Sequence, residues 1–406
     1  MGFKDTELGK IPLEWELCEL KDKVNIVMGQ SPKSEFYNKN KEGVPFMQGR
    51  TTFGDKYHEI DTWCTEPKRF ANKADVLMSV RAPVGDVNIA TMKLCIGRGL
   101  ASLSMKNNNN EYLYYLLKNY VDVITSKGSG TVFSSVNKND VETLKLPFAG
   151  DIEQKAIANI LSSLDEKIEL NNQMNKTLEE MAQALFKRWF VDFEFPNEDG
   201  EPYKSSGGEM VDSELGMIPK GWKVGYLDDI IEIYDAKRKP LSSRQRANMA
   251  KNYPYYGAAS LVDYVENYLF DGIYVLISED GANVVDADGY PLVQYVWDKF
   301  WVNNHAHIVK GKNGYSEEHI YILVKNTNMR SIVTGAVQPK INQANLKSVN
   351  IVIAQAIIIE KFNDLLTSVF NQYRSNAIEN EKLKEMRDIL LPKLMSGEIR
   401  VTDLQN

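Results

Sequence analysis

Three cysteines and four histidines in 406 residues leave little material for a disulfide or metal framework. Cys18, Cys64 and Cys95 have no ligand-like spacing and all fall in the first half of the chain. Structural disulfides are therefore not expected, and a reducing, cytoplasmic setting is. The start lacks the apolar core of a signal peptide. The longest aliphatic run, 349–359, is too short to span a bilayer and reads as a buried strand leading into a helix. No Gly-x-x-x-x-Gly-Lys-Ser/Thr loop is present, which excludes a P-loop nucleotide site. The Asn/Asp-Pro-Pro-aromatic tetrapeptide of amino-methyltransferases is missing too, and no acidic pair stands in a nuclease motif. Positive charge is also scarce, with a net charge of −7. Taken alone this argues against a DNA binder, because phosphate contacts need Lys and Arg.

Local charge says more than the sum. Residues 237–246 carry five basic side chains and no acid, whereas 193–214 carry seven acids against the single Lys204. An acidic protein with basic loops can dock a separate, more basic partner. His305 and His307 form a His-x-His pair whose side chains share one face of a strand, but no further ligands follow in sequence. Metal binding and a loop or base-contact role both stay open for that pair.

What the chain has in abundance is itself. Glu7-Leu-Gly-Lys-Ile-Pro-Leu-Glu-Trp15 returns 207 residues on as Glu214-Leu-Gly-Met-Ile-Pro-Lys-Gly-Trp222, and Leu178-Glu-Glu-Met181 returns 205 residues on as Leu383-Lys-Glu-Met386. Two matches at nearly one offset indicate a tandem duplication of the whole chain. Such duplications build pseudo-two-fold molecules, which suit two-fold objects such as duplex DNA. Each repeat has a β-rich front and a helical back. Strands are expected at 74–80, 86–90, 100–105 and 144–146, then at 272–278, 300–302, 306–309, 321–324 and 349–351, with a helix at 111–127.

The backs carry heptads. With Ile157 at position a, later a positions hold Leu164, Asn171, Leu178 and Leu185; adding 205 gives Phe362, Val369, Asn376, Leu383 and Leu390. The d positions hold Ile160, Lys167, Met174 and Met181, with Ile168 able to replace Lys167, and in the second repeat Leu365, Gln372, Glu379 and Met386. Sustained heptads specify a coiled coil, and a central Asn in each seam fixes register. An antiparallel pairing would bring Asn171 and Asn376 close together. Pro392 is expected to end the second helix, with Gly397 following.

The motif that opens each front resembles that of the DNA-specificity (S) subunits of type I restriction–modification enzymes. So does the close, Leu390-Leu-Pro-Lys-Leu-Met-Ser-Gly-Glu-Ile-Arg-Val401. Asp75 to Gly85, and Val275 to Asn283 followed by Trp301 to His307, are similar to segments of that family's target-recognition domains. The resemblance implies an α+β chain: two mixed α/β target-recognition domains in a tandem pseudo-two-fold repeat, separated by two long helices forming an antiparallel coiled coil. The expected bounds are 1–150 and 214–354 for the recognition domains, 151–192 and 355–398 for the spacer helices, 193–213 for an acidic linker and 399–406 for a tail. It further implies a non-catalytic reader of a bipartite, asymmetric double-stranded DNA site, docked to two modification (methyltransferase) subunits and to restriction (translocase/endonuclease) subunits. Those partners would bind S-adenosylmethionine, ATP and Mg; the chain would hold no cofactor or metal of its own and touch no membrane. A tandem interaction scaffold and a single-chain enzyme with an unrecognised centre are the alternatives.

Side-chain chemistry favours Arg for guanine, Asn or Gln for adenine, and Ser, Thr or cations for phosphate. In the first front the candidates are Gln30, Ser31, Gln48, Arg50, Arg81, Arg98, Ser129 and Thr131. In the second, Lys237, Arg238, Lys239, Arg244 and Arg246 are candidate phosphate contacts. Asn283, Asn303, Asn304, His305 and Lys340 are candidates for base edges or the groove.

Overall fold

A computed structural model of the chain describes residues 2–126, 135–281, 284–335 and 337–401. The chain divides into two compact units, Met1–Asn171 with Ile378–Asn406, and Asn172–Ala377. Each unit thus holds one β-rich front and a part of each long helix.

In the first unit the fully buried strand Val76–Ser79 lies between Val87–Ile89 and Leu100–Met105, and Val24–Met28 completes a four-stranded antiparallel sheet. A continuous apolar strand demands cover, and helix Asn110–Asn119 supplies it through Tyr112 to Leu117, all buried. A second sheet pairs Val44–Met47 with Leu94–Ile96 in parallel. The expected helix at 111–127 is two, the second being Val121–Ser126; Lys127 lies outside the described residues.

The second unit repeats the frame. Ile231–Ile233, Ala306–Gly311, Tyr274–Ser278 and Val293–Val296 form its four-stranded antiparallel sheet, and Tyr253–Tyr256 pairs in parallel with Lys299–Val302 in another. The run Tyr321–Val324 belongs to helix Glu317–Lys325, capped by Ser316, and covers the sheet as its counterpart does. The opening motif serves each unit alike. Ile11 and Trp15 are buried in the first, where the Trp15 indole donates to Glu153 at 2.8 Å. Ile218 and Trp222 are buried in the second, where Phe190, Phe193 and Phe195 surround the indole. The acidic stretch 193–213 is therefore tied down at its start: Phe195 stacks on both Trp222 and Tyr203.

The long helices run Asp151–Phe186, ending in a π-turn at Lys187–Val191, and Ala356–Met395. Within the first unit Asp165 meets Arg387 and Asn171 meets Asn380; within the second Asn175 meets Asn376 and Phe186 meets Phe362. One number falls as the other rises, so both pairings are antiparallel. Of the a positions, Ile157, Asn171, Phe362 and Asn376 are buried, and Leu164, Leu178, Leu185, Val369, Leu383 and Leu390 are half-buried.

The d row is different from expectation. Met174, Met181, Leu365 and Met386 are exposed, Met181 by 56%. The second buried row lies four residues after a, at Leu161, Ile168 and Ala182 and at Leu366, Asn380, Arg387 and Leu394. The shift was hidden because that row is polar in places. Asp165 and Arg387 form a buried ion pair at 2.8 Å, to which the Tyr115 hydroxyl adds a 2.6 Å bond. The offset of 205 turns these two positions into Phe370 and Ala182, an apolar pair in the second unit.

Asparagines occupy the middle of both seams, each with its own partner. The Asn171 side-chain amide donates to Asn380 at 2.9 Å and to Glu379 at 2.8 Å, and that of Asn376 donates to Asn175 at 2.9 Å. Nor does Pro392 end the second helix. It sits inside the last turn, and the chain leaves the helix at Gly397, whose φ of +72° only glycine adopts freely.

Candidate nucleic-acid interface

The strand registers align the two units residue by residue. Leu100 faces Ser79 as Ala306 faces Ser278, and Ile96 faces Met47 as Val302 faces Tyr256. The loops that follow correspond through their hydrogen bonds. Gly97 donates to Met47 as Asn303 donates to Tyr256, and Val80 donates to Gly99 as Glu279 donates to His305. Bridges join Arg81 to Ser135 and Asp280 to Lys340. Five chain segments therefore converge at one end of the sheets in each unit: near 29–31, 47–50, 80–81, 97–99 and 135–136 in the first, and near 235–239, 256–258, 279–280, 303–305 and 339–341 in the second.

In the first unit close backbone approach holds the cluster together. A Cβ on Gly29 would lie 2.8 Å from the Leu100 carbonyl oxygen, one on Gly97 2.7 Å from the Gln48 amide oxygen, and one on Gly99 2.7 Å from the Gln48 carbonyl oxygen. Only glycine lets these segments touch. Ser31 and Gln48 share a hydrogen bond of 2.9 Å, and the Arg98 backbone N–H donates to the Ser31 hydroxyl at 3.1 Å. Gln30, Ser31, Gln48, Arg81 and Arg98 thus share one surface. The Arg81 and Arg98 side chains are exposed, with no ion-pair partner among the described residues. Arg50 is held by Asp86 and lines a polar cleft of about 370 Å³ with Asn88 and Lys118. Ser129 and Thr131 lie outside the described residues, as does Asn283 in the second unit.

In the second unit Lys237, Lys239, Asn304 and His305 are exposed on the converging segments. Asn303 is half-buried and its side-chain oxygen accepts from the His305 N–H at 2.8 Å, while the His305 ring meets Asp280 at 2.7 Å. Lys340 is half-exposed and paired with Glu279 at 2.9 Å, which raises its pKa. Arg244 is exposed on helix Ser243–Ala247.

Two members of the basic run have internal partners. Arg238, with its side chain 14% exposed, binds Glu279, the Asp235 carbonyl at 3.1 Å and the Ala306 carbonyl at 2.9 Å. Arg246 binds Asp263 at 3.0 Å and the Leu241 carbonyl, and stacks on Tyr255. With their donors turned inward, neither is offered to a phosphate.

Beneath the second cluster Asp235, Glu279 and His307 are all buried, with ligand-type atoms within 4.8 Å of one another. Hydrogen bonds and ion pairs link all three into one network. His307 Nδ1 meets Asp235 at 2.6 Å, and Nε2 meets the Ile341 carbonyl at 2.8 Å. Glu279 is matched by Arg238 and Lys340. Burial would raise both carboxyls. For Asp235 the contacts from His307, the Ile308 N–H and Gln343 together outweigh burial, and for Glu279 those from Arg238, Lys340 and His307 do, so both end below the usual carboxylate range. Sequence reasoning missed Asp235, Glu279, Asp280 and Ser135. The available signal was position, since the two acids at 279–280 follow a strand in which every residue is buried.

A family model described as the type I restriction modification DNA specificity domain matches residues 12–180 and again 219–385. The chain is similar to the MjaIX type I restriction enzyme specificity subunit of Methanocaldococcus jannaschii, at 28% identity over 99% of this chain and 97% of that one. It is 43% identical to part of the MjaX specificity subunit of the same organism, over 45% of this chain and 44% of the relative. Its fold is similar to a crystal structure of a type I restriction–modification S subunit from M. genitalium, with TM-score 0.56 and 17% identity, covering 95% of this chain and 96% of that one.

Proposed function

The chain belongs to the type I restriction–modification DNA specificity family, and from that membership we propose that it is a non-catalytic specificity subunit whose two units each read one half of a bipartite, asymmetric DNA site. One observation carries this. The same five segments converge on the same strand frame in both units, yet they present Gln30, Ser31, Gln48, Arg81 and Arg98 in one and Lys237, Lys239, Asn304, His305 and Lys340 in the other. A shared frame with unlike side chains suits two unlike half-sites. The family description names DNA, and the full-length relative is named a specificity subunit.

The two long helices would set the spacer between half-sites and dock two adenine-methyltransferase subunits. Exposed Met174 and Met181 on one helix, and Leu365 and Met386 on the other, support a docking role, since apolar rows on solvent-facing helix surfaces favour a partner. The modification subunits would bring S-adenosylmethionine, and the restriction subunits ATP and Mg. Partners would also supply much of the phosphate neutralisation that a chain of net charge −7 lacks. Among the described residues no helix is long and apolar enough to cross a membrane, and the proposed work is cytoplasmic.

The test is to co-express the full chain with the modification subunits and sequence the methylated adenines. A split motif with two different halves is the expected outcome. Methylation by the chain alone would favour an enzyme, and no DNA preference with the partners present would favour a scaffold.

A further inference from the structure

The two reading clusters are held together by different physics. In the first unit, glycines let backbone touch backbone at Gly29, Gly97 and Gly99. In the second, the positions of Gly97 and Gly99 are Asn303 and His305, and that means of closure is lost. A buried charge network stands in its place. Asp235 accepts from the Ile308 N–H at 2.9 Å, meets the His307 ring at 2.6 Å and accepts from Gln343 at 2.6 Å. His307 reaches on to the Ile341 carbonyl, and Glu279 ties Arg238 to Lys340. With the Arg238 bond to the Asn304 carbonyl at 3.3 Å, these directional bonds join four of the five converging segments.

The fold itself does not require these charges. Register places Met28 opposite Ala101 where the second unit has Asp235 beside His307, and the first unit builds the same sheet with that apolar pair. Buried ion pairs add little net stability over well-packed apolar replacements, so their use here calls for another reason. Each member adjoins a candidate contact: Asp235 lies two residues from exposed Lys237, His307 two residues from exposed His305, and Glu279 binds Lys340 directly at 2.9 Å. We propose that Asp235, Glu279 and His307 are positioning residues for DNA recognition by the second unit, fixing the Lys237, Asn304–His305 and Lys340 segments at the angle base contact needs. The proposal rests on the specificity-subunit function above.

The experiment selects binding sites from randomised DNA with the full chain and its co-expressed modification subunits. Wild type should return two separate half-site preferences; if it returns none, the specificity function fails and this inference with it. Glu279→Gln keeps shape and removes charge. It should lower base preference at the second half-site about tenfold, the size of one lost base contact, and leave the first unchanged. A soluble complex that keeps both preferences overturns the proposal, as does one that loses both equally. If Glu279→Gln yields no folded complex, Gln343→Ala removes one bond to Asp235 from an exposed position. It should relax the second half-site alone by a smaller factor, and no change would overturn the proposal. A purely structural role predicts that Asp235→Met with His307→Ala, copying the first unit's pair, preserves recognition. Positioning predicts a complex that still assembles and still reads the first half-site, with second-half preference lost.

Discussion

Replacing Arg387 by Ala tests how the buried seam of the first unit is held. Its guanidinium donates to Asp165 at 2.8 Å, and the two side chains are 10% and 5% exposed. Removing one partner leaves a carboxylate buried against the Tyr115 hydroxyl alone, a situation that costs about 3–5 kcal/mol. The second repeat supplies the rescue, since its equivalent positions are Phe370 and Ala182. Asp165→Phe combined with Arg387→Ala should therefore recover most of the loss. The double variant should end within about 1–2 kcal/mol of wild type, the remainder being the Tyr115 hydroxyl that loses its acceptor. Asp165→Phe alone should cost less than Arg387→Ala, because Arg387 keeps a second partner in exposed Asp388 at 2.8 Å. The assay is urea unfolding followed by hydrogen exchange in residues 151–171, read as a double-mutant cycle whose coupling exceeds about 2 kcal/mol, the recovery from Arg387→Ala added to the cost of Asp165→Phe alone. An Arg387→Ala cost below about 1 kcal/mol, as for a surface pair, would refute the reasoning. So would a double variant as damaged as the sum of the singles.

Three further outcomes follow from the second unit, the first cluster and the seam. His319 is buried among Phe186, Phe190, Phe362 and Tyr315, and burial lowers its pKa to about 3. The unfolded chain takes up a proton at about 6.5, so this contribution is present above that pH and is lost as pH falls towards about 3. Between pH 7.5 and pH 5 wild type should lose about 2 kcal/mol more unfolding free energy than His319→Phe; parallel curves would contradict the assignment. Gly29→Ala drives a Cβ into the Gly97 and Leu100 carbonyls and should abolish preference at the first half-site while leaving the second, as site selection would report. Inserting one heptad after both Asn171 and Asn376 adds about 10 Å of helix and should lengthen the spacer by about three base pairs; an unchanged spacer on methylation mapping would dismiss the ruler.

The duplication and the buried strands were legible because each rests on local pattern. Ile11 and Trp15, like Ile218 and Trp222, are apolar residues in a repeated motif, and burial follows. The seam was half legible. Its a row stands out, but Met174, Met181, Leu365 and Met386 look as apolar as true seam residues, while Asn380 and Arg387 conceal the row that is buried. Arg238 and Arg246 read as phosphate contacts for a similar reason. Their partners Glu279 and Asp263 lie 41 and 17 residues away, and pairing over such distances has no periodicity to betray it. That the glycines at 29, 97 and 99 bring three loops into contact follows only from the strand registers, because the loops are far apart in sequence.

The central claim is that each unit reads its own half of one DNA site. Mapping methylation directed by the full chain carrying Gln48→Ala with Arg98→Ala, beside wild type and in the presence of the modification subunits, tests it most directly. The account predicts a motif relaxed in one half only, with the other half and the spacer unchanged. Equal relaxation of both halves, or none in either, would contradict it.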